Sequence, residues 1–141
     1  MLGSHTICHW CRGQAVIALS SGEAEYYSLV TEIAELCGIS SLCLDWNLKY
    51  KLAVNVDATA AIGIASRRGL GKVKHIDTVF LWIQERIESL KIQIRKKPTK
   101  EMVADMLTKF LGRKEIDYFL EVMGFEYRNE NYTHRQQLKT V

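Results

Sequence analysis

Two short stretches that alternate apolar and polar residues, set among longer stretches with apolar residues at helical spacing, predict an α/β (α+β) fold for this 141-residue chain. Leu52, Val54 and Val56 alternate with Ala53, Asn55 and Asp57, and Ile92 and Ile94 alternate with Gln93 and Arg95, which is the period of a strand. Tyr26, Leu29, Val30, Ile33, Leu36 and Cys37 recur at the interval of a helix. With 48% hydrophobic and 25% charged residues and no internal repeat, the chain has the make-up of one globular domain able to bury a core.

The elements follow in order. Residues 4–18 are short apolar pieces around Trp10 and Gly13, expected to form a strand and a turn. Ser20 with Glu23 three residues on makes a capping box that opens the first helix, and Gly38 is the expected stop. Residues 52–56 form the expected central strand. Asp57 follows it as a favoured N-cap for a helix over 58–66. Gly69 and Gly71 break the chain, and Gly71-Lys72 fails as a phosphate loop because no Ser or Thr follows the lysine. Asp77 to Ser89 reads as an amphipathic helix with Phe80, Ile83 and Ile87 inward, followed by the strand around Ile92 and Ile94. Thr99, after Pro98, is an N-cap for a helix to about Leu111 whose Met102, Met106 and Phe110 pack. Gly112 separates a further helix over 113–123. The polar, unpatterned residues 127–141 are expected to be disordered.

A net charge of +3 and a pI near 8.7 are too mild to announce a nucleic-acid binder. The local distribution says more. Arg67, Arg68, Lys72 and Lys74 form one basic stretch, and Arg95, Lys96, Lys97 and Lys100 form another. Such clusters attract phosphate backbones without reading sequence, and equally often are solvated surface. No run of 18 or more apolar residues and no signal-like amino terminus is present, so a soluble, intracellular protein is expected, cytoplasmic or nuclear, with reduced cysteines. His5, Cys8, His9 and Cys11 have the residue types of a zinc site but poor spacing. On a strand Cys8 points away from the other three, which favours ordinary thiols and surface histidines.

Three acids stand at expected helix starts: Glu25, Asp57 and Asp105. Glu25 lies about 200° around the helix from Glu23, so the capping role of Glu23 leaves Glu25 free to face a site. Asp57 ends a strand, where ligands of open α/β sheets gather. Hard cations such as Mg²⁺ take a few carboxylates together with substrate phosphate, and two ions about 4 Å apart can hold the attacking and leaving oxygens of a phosphodiester. Taken singly, Asp57 is equally a helix cap and Asp105 a surface carboxylate near a helix start.

The words IALSSGEAEYYSLV, VDATAAIGIA, KHIDTVFLWIQERI and VADMLTKFLG, in that order, resemble the ribonuclease H domain of copia-type LTR retrotransposon Pol polyproteins over about residues 2–126. The resemblance implies a ribonuclease H-like mixed sheet with flanking helices, over a partial domain 1–126 with a tail 127–141. It also implies hydrolysis of the RNA strand of RNA–DNA hybrids with two Mg²⁺ ions, Mn²⁺ being an alternative. Glu25, Asp57 and Asp105 match the family's acids on the first helix, after the fourth strand and on the last helix. The family's first aspartate, on the first strand, has no counterpart. The resemblance therefore implies a fragment lacking the first strand and most of the second, weak or inactive as it stands, with a sheet edge open to self-association. The implied partners are an RNA–DNA hybrid or other nucleic acid and an upstream reverse transcriptase segment of the parent polyprotein, with no membrane. Arg67, Arg68, Lys72, Lys74, His75, Lys96, Lys97 and Lys100 are the candidate nucleic-acid contacts. His75, in the KHID word, has three open roles: backbone cap, phosphate contact or packing. The competing class is a catalytically dead nucleic-acid-binding remnant or adapted host protein.

Overall fold

The computed structural model describes residues 6–72, 74–89 and 91–125. The expected disorder of 127–141 and the ligand candidate His5 lie outside them. The chain divides into two compact units, Arg12–Met102 on one hand and Met1–Cys11 with Val103–Val141 on the other. The α/β class is as expected: helices surround a two-stranded parallel sheet.

The larger unit opens with α1 (Ser21–Asp45). The Ser20 hydroxyl accepts from the Glu23 amide at 3.2 Å, as a capping residue should. The helix does not stop at Gly38. Beyond it only Cys43 is buried, Leu42 and Leu44 being exposed, but a mid-helix glycine costs only about 1 kcal/mol against alanine. It ends instead at Asn47, whose φ of 58° is left-handed. The Leu48 amide there bonds the Cys43 carbonyl and the Asn47 amide bonds the Leu44 carbonyl, both at 2.8 Å, a Schellman closure with asparagine in the usual place of glycine.

β1 (Leu52–Val56) and β2 (Ile92–Lys96) pair in parallel with Leu52 opposite Ile92 and Val56 opposite Lys96. The connection carries α2 (Thr59–Ala65) and α3 (Trp82–Glu88), as a parallel crossover requires. A 3₁₀ turn at Thr78–Phe80, capped by the Asp77 carboxylate on the Val79 amide at 3.1 Å, precedes α3, so the expected helix Asp77 to Ser89 is split in two. The core joins Tyr26, Tyr27, Leu29, Val30 and Ile33 of α1 to Val54, Val56 and Ile92 of the sheet and to Ala61, Ile64, Ile76 and Ile83. By length and composition α1 could cross a membrane, yet Tyr26, Leu29, Val30 and Ile33 of its first half are buried in this core.

Three further expectations are corrected. Residues 6–18 form no strand. Among the described residues β1 and β2 are the only strands, and an extended segment without a ladder partner does not become one. Asp57 does not cap α2, whose N-cap is Ala58 without a side-chain bond. The expected helix from Thr99 to Leu111 is two short 3₁₀ segments, Thr99–Glu101 and Val103–Leu107. Met102 between them is extended at φ −80°, ψ 101°, and the Thr99 hydroxyl that should cap a helix bonds Asp57 instead.

In the smaller unit the Val103–Leu107 turn leads to α4 (Arg113–Val122), the helix expected after Gly112. Glu115 accepts from the Gly112 amide at 2.9 Å, and Gly124, at φ 74°, closes the helix. The Thr6 hydroxyl donates to the Met123 carbonyl at 3.1 Å. Phe110 is fully exposed, so the Met102–Met106–Phe110 stripe does not pack as a unit.

Candidate functional site

The carboxyl ends of the parallel pair carry the clearest grouping of polar residues. Asp57 leaves β1 half-buried and its Oδ2 accepts from the Thr99 hydroxyl at 3.1 Å. The Lys97 amide extends the ladder to the Val56 carbonyl at 3.0 Å, which draws the Lys96 to Lys100 segment across the strand ends. Lys96 Nζ reaches the Thr59 hydroxyl at 2.6 Å. One carboxylate, two hydroxyls and the cations of Lys96, Lys97 and Lys100 therefore share the end of the sheet where α/β proteins bind ligands.

Helix packing brings a second acid toward this end. A side chain at Gly22 would place its Cβ 2.6 Å from that of Ala60, so the first turn of α1 lies directly on α2. Glu25 is exposed, three residues beyond Gly22, and Asp57 stands three residues before Ala60. The two acids thus flank one tight helix crossing. Asp105 belongs to the smaller unit, half-buried and ion-paired with Lys109 at 2.8 Å. Among the described residues no three His, Cys, Asp or Glu side chains form a group able to hold a metal ion. Cys8 and Cys11 are free and exposed.

The first basic stretch is largely committed to structure. Arg67 folds back, donating to the Leu70 carbonyl at 2.6 Å, and its guanidinium covers Gly71, where a Cβ would meet it at 2.7 Å. With φ at 56°, Gly71 adopts a backbone conformation that favours glycine. Arg68 is held by Glu88, with Nε to Oε1 at 2.9 Å. Lys72 and Lys74 are exposed.

The residue most underestimated from sequence is Glu23. Only 1% exposed, its carboxylate accepts from the Leu19 amide at 3.1 Å, the Tyr27 hydroxyl at 2.8 Å and His75 Nε2 at 2.8 Å. The bond from His75, more than the other two, holds its carboxyl below the usual carboxylate range against the opposing effect of burial. Burial first, and Glu23 second, push the Tyr27 phenol up to about 12. The KHID word resolves residue by residue. Lys74 is exposed, His75 bonds Glu23, Ile76 is core at 2% exposure and Asp77 caps the 3₁₀ turn. Gln84 was also missed, although its place four residues after Phe80 marks it as inward. Buried in α3, it donates to the Ile64 and Gly69 carbonyls at 2.9 and 3.1 Å and accepts from the Gly69 amide at 2.9 Å.

No protein-family model matches the chain, and no solved structure matches it significantly. Curated proteins do. The chain is 30% identical over 113 residues to the retrovirus-related Pol polyprotein from transposon TNT 1-94 of Nicotiana tabacum, covering 79% of this chain and 8% of that protein. It is 29% and 26% identical over 126 residues to the Pol polyproteins from transposons RE2 and RE1 of Arabidopsis thaliana, covering 87% of this chain and 9% of each. The chain spans less than a tenth of the length of these relatives. It is similar, over most of its own length, to a short segment of the retrovirus-related Pol polyproteins of plant transposons.

Proposed function

We propose that the chain is a ribonuclease H-like segment of a copia-type Pol polyprotein that engages the phosphate backbone of an RNA–DNA hybrid at the carboxyl ends of β1 and β2. The observation that supports this reading is the juxtaposition of Asp57 and Thr99 with Lys96, Lys97 and Lys100 at that end of the sheet. Lysines there neutralise phosphates irrespective of sequence. Asp57, Glu25 and Asp105 are the residues that would hold Mg²⁺, which when bound would activate water and stabilise the leaving oxygen. Asp57 already stands at the strand end, with Glu25 beside the crossing of α1 on α2.

The chain matches only 8–9% of the length of those Pol polyproteins. The activity of the longer Pol polyproteins therefore enters only as the class of reaction this segment would serve, inside the cell and without a membrane. Titration of the 141-residue protein with a labelled RNA–DNA hybrid at several salt concentrations tests the reading. Affinity is expected to fall steeply with salt. The slope should shrink by roughly 0.9 for each phosphate that Lys96→Ala, Lys97→Ala or Lys100→Ala leaves without its cation. Cleavage in Mg²⁺ is expected to be weak or absent. Salt-independent binding would refute the backbone reading, and robust cleavage abolished by Asp57→Asn would restore full nuclease function in place of a binding role.

A further inference from the structure

Residues 69–70 are pinned on one side and residues 75–76 on the other, with the exposed Lys72 and Lys74 between the pins. At the first pin, buried Gln84 bonds both the amide and the carbonyl of Gly69, and Arg67 bonds the Leu70 carbonyl. At the second, Ile76 is in the core and His75 Nε2 lies 2.8 Å from Oε2 of Glu23. Glu23 sits in the first turn of α1, and its carboxylate is fixed from two further directions by the Leu19 amide and the Tyr27 hydroxyl. The His75 side chain is 43% exposed while that of Glu23 is 2% exposed, so a rigid, buried acceptor holds a surface imidazole. A buried carboxylate is costly unless its oxygens are bonded, which makes the His75 bond part of what permits Glu23 to be there.

We infer that the Glu23–His75 hydrogen bond is a clasp that positions Lys72 and Lys74 beside the amino end of α1 as a second phosphate-binding element, His75 acting through its geometry and not as a phosphate ligand. Lysine is a flexible point charge whose contribution depends on where its backbone is held. Both lysines are exposed, whereas Arg67 and Arg68 of the same stretch are spent on Leu70 and Glu88. This role rests on the hybrid-binding reading above, but the clasp itself is testable without nucleic acid.

Limited trypsin digestion of the full chain reads the clasp directly. Cleavage after Lys74 in His75→Ala is expected to be about ten-fold faster than in wild type, as loss of a charge-assisted hydrogen bond raises the open population on which cleavage depends. Cleavage after Lys51 should not change. His75→Gln, whose amide reaches the position of Nε2, should restore protection. Unchanged cleavage in His75→Ala overturns the clasp. Should His75→Ala unfold, with cleavage after Lys51 rising equally, the comparison of His75→Gln with the shorter His75→Asn decides, and equal rates for the two overturn it. The second arm is the salt dependence of hybrid binding. Lys72→Ala with Lys74→Ala should lower the slope by about 2, His75→Ala should do the same, and His75→Gln should restore it. Restored trypsin resistance without a restored slope would make His75 a direct phosphate ligand and overturn the positioning role. If the wild-type chain does not bind hybrid at all, the functional reading falls while the trypsin arm still decides the clasp.

Discussion

Glu23 and Glu25 are two residues apart in sequence and have opposite fates, one buried at 1% exposure and the other on the surface. Helical geometry predicts the separation, since two residues span about 200°. The capping role of Glu23 was legible too, from the S-x-x-E spacing, though its side chain bonds the amide of Leu19 and not that of the N-cap Ser20. Its distant partner, His75, lies 52 residues away, and no local pattern could pair them. The pairing has a pH signature. The folded-state pKa of Glu23 is lowered by His75, so the stability it supplies is fully present above the ordinary carboxylate value and is lost as pH falls through the lowered folded value. The melting temperature of wild type should therefore drop below about pH 4.5. In Glu23→Gln it should start lower at neutral pH and show a shallower acid limb, whereas parallel acid limbs would mean that other groups set the acid response. Gln84 gives a second residue-scale expectation. Gln84→Leu leaves the Ile64 carbonyl and both backbone groups of Gly69 without their partner, and should cost about 1–3 kcal/mol in denaturant unfolding.

At the scale of elements, period and spacing located what was regular. The alternation at 52–56 gives the observed burial, with Val54 and Val56 inside, and the helical stripe from Tyr26 to Ile33 is the buried face of α1. One failure comes from a group distant in sequence, the others from local chemistry. Thr99 reads as a helix cap until Asp57, 42 residues earlier, takes its hydroxyl. Gly38 reads as a stop, but its cost of about 1 kcal/mol is too small to end the helix, which closes at the left-handed Asn47. Gly22 passed unnoticed because a glycine near a helix start has many uses, and only the crossing of α1 on α2 shows what this one does. Gly22→Leu must push a side chain into Ala60, and overpacking of this kind costs about 1–3 kcal/mol. Gly22→Ala, which also gains helix propensity, should lose less. If Gly22→Leu is as stable as wild type, the amino ends of α1 and α2 are not tightly apposed.

For the molecule as a whole, the sheet is the feature that composition could not reveal. A chain with 48% hydrophobic residues has the apolar content for a core, yet among its described residues only two strands pair, so each has one flank without a strand neighbour. The acids of the candidate site were legible as residues and the family words as a pattern. Which polar partners each acid meets was not, because Thr99 lies 42 residues from Asp57 in sequence. The β1 segment carries no charged side chain and no proline, the two devices that most often blunt an exposed edge. Alternate amides of a strand point to opposite neighbours, so in hydrogen exchange the β1 amides directed at β2 should be protected and the alternate ones should exchange rapidly. Protection of the fast set should rise with protein concentration, because an open edge of this composition recruits a second chain. Uniformly slow exchange along residues 52–56 in a dilute monomer would mean that the flank is covered within one chain, and would remove the open edge as a source of self-association.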